Sequence, residues 1–221
     1  GSFHARCLLI RPANNQIGNV MSADIEIRTT EMPADMRILL DAYPRDTWEA
    51  HPGFKEKTSN WLGAHVMFRQ LAELVRLETE AYLEKLRDPD DFAARLSRYG
   101  DLLVRNLHGH HTWEDKSYFP ELCEADPRFE KGLEILEKDH EALDAMLFQL
   151  SRTANRAIKL VQLDEAQARE EAGKLQPVTG TIESLLARHL SEACEFVAPA
   201  HSPHRPLGLH LVHTLPLFCP A

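Results

Sequence analysis

Four histidines, His65, His110, His140 and His189, each lie on the apolar stripe of a separate helical segment of the sequence. A lone imidazole in such a stripe is usually a hydrogen-bonded core residue. One from every segment is a different matter, because the ring nitrogens of four buried imidazoles cost several kcal/mol to desolvate unless something organises them. A shared metal ion does so directly. The stretch His108-Gly109-His110-His111-Thr112-Trp113-Glu114-Asp115 adds a carboxylate in register, since His110 and Glu114 are one helical turn apart and share a face. Imidazole nitrogen with carboxylate oxygen is a borderline donor set that suits iron, zinc, manganese or cobalt. The shifted pair His111 and Asp115 has the same spacing but faces ~100° away, and continuing the stripe of Leu103 and Leu107 selects His110 and Glu114 instead. His108 and Asp115 are then expected at the surface or as partners for a ligand's other ring nitrogen.

Rods must position these side chains, and the sequence punctuates them. The first helix is expected over 58–86, with Thr58 as its N-cap and Trp61, His65, Phe68, Ala72 and Val75 on the buried face. Asp88-Pro89 opens a second over 89–119, which Pro120 is expected to end. Asp126-Pro127 repeats the device and starts a third over 127–157, where Leu133, Leu136, His140, Leu143 and Leu147 follow heptad spacing. A fourth begins near Asp164, is expected to break at Pro177 and Gly180, and resumes through Ile182, Leu186, His189, Ala193 and Phe196 before Pro199. Short connections between long helices force antiparallel neighbours. The fold class read from this is all-α, an up-down-up-down four-helix bundle with an irregular N-terminal arm and a Pro/His-rich C-terminal tail. The arm occupies 22–57 with a short helix over 36–43, the bundle 58–199, and the tail 200–221. Gly1-Ser2 reads as a cloning remnant and Met21 as a natural start, so residues 1–20 are expected to lie outside the fold.

Composition narrows the partners. Twenty-five basic against 34 acidic residues give a net charge of −9, which argues against nucleic acid or an anionic membrane as the main partner. A hydrophobic share of 43% with 27% charged residues is that of a folding, soluble chain. No apolar run approaches the ~18 residues of a membrane span, so a cytoplasmic location is expected. Cys7, Cys123, Cys194 and Cys219 show no CxxC pairing and read as free thiols. The oligomeric state is open, a dimer being compatible.

The text resembles the hemerythrin-like family of four-helix bundles with a His-His-Glu cation-binding site. The resemblance rests on Ala64-His65, on His110-His111-Thr112-Trp113-Glu114-Asp115 with Tyr118-Phe119-Pro120, on Lys138-Asp139-His140-Glu141, and on Arg188-His189-Leu190 with Pro199. It implies a non-haem di-iron centre with His65, His110, Glu114, His140 and His189 as ligands. The fourth helix departs from the family's pattern, because Ala193 stands where the second His-x-x-x-Glu would place its carboxylate. Glu192, at i, i+3 from His189, is the nearest replacement. The site is therefore expected to hold one or two iron ions, with zinc or manganese as substitutes.

Oxygen-activating di-iron enzymes in helix bundles surround their metals with about four carboxylates and two histidines. The reverse ratio here favours the divalent metal and an open position for a small ligand. The expectation is reversible binding or sensing of dioxygen or another diatomic molecule, or iron handling, and a binding protein rather than an enzyme. Two other readings are a di-metal redox enzyme acting on peroxide, nitric oxide or Fe(II), and a metal-free helical scaffold.

Overall fold

The computed structural model describes residues 9–12, 27–30, 32–33, 56–125 and 127–197. Among them every regular element is helical. Four long helices carry the fold: α1 (Glu56–Leu83), α2 (Pro89–Trp113), α4 (Glu130–Val161) and α6 (Leu175–Val197). Between them lie a π-turn (Glu114–Tyr118), the short α3 (Phe119–Ala125), a 3-10 turn (Pro127–Phe129) and α5 (Glu165–Gly173). Helix α1 packs on α2 and α6, and α4 likewise packs on α2 and α6, so the four surround a common interior. This is a helical bundle.

The ends of the helices follow local chemistry. Thr58 lies inside α1, which already begins at Glu56. The C-terminus of α1 comes earlier than 86, because Lys85 adopts a left-handed φ of 61°. The Leu86 amide then bonds back to the Ala81 carbonyl at 2.8 Å, and that of Lys85 to Tyr82 at 3.1 Å, which closes the helix in a Schellman motif. Asp88 caps α2, its carboxylate accepting from the Asp90 and Asp91 amides at 2.9 and 3.3 Å, with Pro89 in the first turn.

Pro120 does not stop the second segment. The turn before it widens instead, and the Phe119 amide bonds five residues back to the Glu114 carbonyl. Proline lacks an N–H and its ring crowds the carbonyl four residues earlier; a π-turn absorbs both, and the chain continues as α3. The last segment breaks at Lys174 rather than at Pro177 and Gly180. Pro177 is the third residue of α6, where the missing amide hydrogen would have had no intrahelical partner. The third helix runs on to Val161, and the proposed cap Asp126 lies outside the described residues, as do the short helix over 36–43 and the tail over 200–221.

Residues 1–20 are corrected in part. Ile10 is 1% exposed and joins the main core, and its amide and carbonyl both bond to the Asn155 side chain at 2.8 Å. The stripe predicted for α4 is buried, from Leu133 and Leu136 through His140 to Leu143 and Leu147. Apolar burial forms two bodies. The larger includes Phe68, Leu107, Leu143, Leu186 and Leu190; the smaller includes Met32, Trp61, Tyr118, Phe119, Leu136 and Ala193. On α1, α4 and α6 the predicted histidine lies in sequence between a member of one body and a member of the other, and on α2 between Leu107 of the larger body and Trp113, which packs against the smaller. The imidazoles thus form a polar layer between the two apolar bodies, with His65, His140 and His189 buried.

Candidate metal centre

Two groups of side chains could each hold a cation: His65, His110 and Glu114 in one, and His111, His140 and His189 in the other. In the first, His65 Nε2 lies 3.1 Å from His110 Nε2, and Glu114 Oε1 lies 3.3 Å from the same His110 nitrogen. In the second, His140 Nε2 lies 3.2 Å from His189 Nε2. Two donors at right angles on an ion at ~2.1 Å are themselves ~3.0 Å apart, so these nitrogen pairs, which are within hydrogen-bond reach of each other, also have a spacing that a common ion would accept. Glu114 connects the groups. While Oε1 faces His110, Oε2 lies 3.3 Å from His140 Nε2.

The donors also show unmet polar demand. Neither ring nitrogen of His111 has a hydrogen-bond partner, and neither have Glu114 Oε2 and His189 Nδ1, although all are buried. Native interiors rarely leave such groups unpaired, and an ion supplies the missing partner for nitrogen and carboxylate oxygen alike. The donor set therefore fits a borderline divalent metal.

A ring of supporting groups orients the histidines. His140 Nδ1 donates to Asp115 Oδ1 at 2.6 Å, leaving Nε2 for the centre. His108 Nδ1 meets Asp144 Oδ2 at 2.8 Å, and the other oxygen of Asp144 lies 3.5 Å from His111 Nδ1. Cys194 Sγ lies 3.3 Å from His65 Nδ1, and Trp61 Nε1 donates to Glu114 Oε1 at 2.6 Å. Neither Cys123 nor Cys194 forms a disulfide.

Burial and charge set the protonation of the metal-free site. Burial pushes His65 down to about 2, with the neighbouring His110 adding to the effect. It also holds His111 and His189 below the usual histidine range. His140 goes the other way. Burial lowers it, but the hydrogen bonds and charges of Asp115 and Glu114 outweigh this and raise it to about 9. Glu114 resists its own burial because His110 and His140 favour its charge, and it stays well below the ordinary carboxylate range.

The structure brings together five of the six residues singled out in the sequence. His65, His110, Glu114, His140 and His189 all fall in the two groups. Glu192 does not. Its carboxylate accepts from Arg28 and from the Met32 amide at 2.9 Å, and Ala193 is packed in the smaller apolar body. His111 is the residue that spacing passed over. It is buried against His140, ring to ring at 4.1 Å. Helix α2 packs on both α1 and α4, so its inner arc is wide enough for successive residues, His110 toward His65 and His111 toward His140.

A family model described as the hemerythrin HHE cation-binding domain matches residues 57–193, and the chain belongs to that family. Comparison with curated proteins and with solved structures returned no match. No described helix is long and apolar enough to cross a membrane.

Proposed function

We propose that the protein is a non-haem iron protein whose paired histidine groups, with Glu114 between them, would hold two ions, and that it binds a small diatomic ligand, dioxygen first, reversibly. The observation that carries this reading is the placement of Glu114, with one oxygen toward each histidine group. His65 and His110 would hold one ion, and His111, His140 and His189 the other. When bound, iron supplies an open coordination position and a change of oxidation state. The chain's own residues supply neutral donors, with Glu114 as the shared carboxylate and the two apolar bodies excluding water. The connections support an up-down-up-down order of the four long helices.

This donor set also favours binding over oxidative catalysis. Five imidazoles and one carboxylate add little anionic charge, whereas bundle sites that activate oxygen are rich in carboxylates. Anaerobic titration with Fe(II), followed by elemental analysis, tests the first part: two ions per chain are expected, one for each group, and no uptake overturns the reading. Admitting oxygen should then produce a charge-transfer band that disappears under vacuum. Continuous consumption of peroxide or nitric oxide would instead establish a redox enzyme.

A further inference from the structure

All three histidines of the second group have a carboxylate near Nδ1, but not equally; His111 and Asp144 lie 3.5 Å apart. His140 Nδ1 meets Asp115 at 2.6 Å, in full hydrogen-bond contact. His189 Nδ1 meets Asp139 Oδ2 only at 3.6 Å and has no hydrogen-bond partner. The difference lies in what else holds the carboxylate. Asp115 is partly open to solvent. Asp139 is buried and gripped by Arg28, whose Nε reaches Oδ1 at 3.2 Å and whose Nη2 reaches Oδ2 at 2.5 Å. Arg188 approaches the same carboxylate only to 3.6 Å.

Arg28 comes from outside the region that the family model covers. It is held by more than Asp139, since the same guanidinium binds Glu192 and donates to the Thr30 carbonyl at 2.6 Å. The Met32 amide also bonds to Glu192, and the Met32 side chain is buried in the smaller apolar body. The segment is therefore anchored at the arginine itself and, four residues on, at Met32. A forked guanidinium suits this task because it spans two carboxylates in a fixed plane.

We infer that Arg28 is a positioning residue for the proposed centre: by engaging Asp139 it withholds that carboxylate from His189, and so keeps His189 a less electron-rich donor to the second ion. The inference rests on the reading of His111, His140 and His189 as an ion position. Without the guanidinium, Asp139 is free to close on His189 Nδ1, and its charge, together with that of Glu192, is offset less, with Arg188 at 3.6 Å the remaining cation. Both changes act in one direction, toward tighter cation binding and a more stable trivalent state. Partners of ligating histidines change metal affinity by roughly 10- to 100-fold, which sets the size of the effect.

The test uses Arg28→Gln, Asp139→Asn and the double variant of the full chain, each metal-free and loaded with iron. In metal-free Arg28→Gln, imidazole NMR should show a strongly hydrogen-bonded His189 Nδ1–H resonance that the parent lacks; an unchanged ring overturns the inference. In the iron-loaded protein the potential should fall by ~60 mV, a tenfold preference for the oxidised ion in a one-electron couple. No fall, or a rise, overturns it. In the Asp139→Asn background, Arg28→Gln should change the potential no further. A full fall there would show that the arginine acts through space, and would overturn the route through Asp139. An arginine that merely ties the segment down would lower the melting temperature and leave resonance and potential unmoved. If Arg28→Gln does not fold, Arg28→Lys carries the same readouts, because an ammonium cannot fork across both carboxylates. A smaller change is expected, and none overturns the inference. A parent protein that takes up no iron would defeat the proposed function while the metal-free resonance still decides the role of Arg28.

Discussion

His111 is 1% exposed and presents two unpartnered ring nitrogens to a dry interior. Leaving such groups unsatisfied costs about 1–3 kcal/mol each relative to a well-packed apolar side chain. His111→Leu should therefore stabilise the metal-free protein by at least ~1 kcal/mol in urea denaturation, and should abolish loading of one of two ions in elemental analysis. Stability lost without any change in loading would mean that the ring is a structural core residue. His110→Ala should likewise lose an ion, from the other group. The sequence made His110 and Glu114 legible because one turn separates them on a continuing leucine stripe. His111 was not legible in that way, since single-helix periodicity describes one face and cannot say that α2 has a neighbour on either side. Glu192 shows the same limit: spacing brought it near His189, but Arg28, 164 positions away, decides where its carboxylate goes.

At the scale of elements, the Asp-Pro punctuation and apolar stripes located the long helices, because caps and periodicity are local signals. What lay beyond local reach were the features set by tertiary contact. Gly100 on α2 is one. A Cβ there would sit 2.4 Å from Ile10 Cδ1, so the helix surface is cut away to receive a residue from the far end of the chain. Gly100→Ala gains about 1 kcal/mol of helix propensity but displaces a buried isoleucine, which costs about 1–3 kcal/mol. The expected result is a net loss of stability in denaturant titration, turning into a gain when the same substitution is made with Ile10→Ala. A gain in both backgrounds would show that Ile10 does not occupy the notch. The π-turn before Pro120 is another case: a proline signals that the hydrogen-bond ladder must change, but not whether the helix stops or widens, and here it widens, with Tyr118 and Phe119 buried in the smaller apolar body.

For the whole molecule, protons and metal compete for the same nitrogens. In the metal-free protein, burial keeps His65, His111 and His189 neutral, whereas an unfolded chain protonates them near the ordinary value of 6.5. Their contribution to stability is complete above that value and is lost as the pH falls below it. His140, raised to about 9, contributes fully below 6.5 and ceases to as the pH rises through 9. Metal-free stability against pH should thus pass through a maximum near 6.5 in these groups, and thermal melts over the range will show it. Metal binding at pH 7.5 should expel about one proton, from His140, as calorimetry in buffers of different ionisation enthalpy will measure; release should fade above pH ~9.5. The histidine layer has one more consequence. It divides the core along a seam, with the smaller apolar body on one side, and a bound ion would act as a rivet through that seam. Once the rivet is withdrawn, fraying should begin in the smaller half, where Trp61 is packed, so that tryptophan emission would report the loss of the ion before the rest of the bundle gives way.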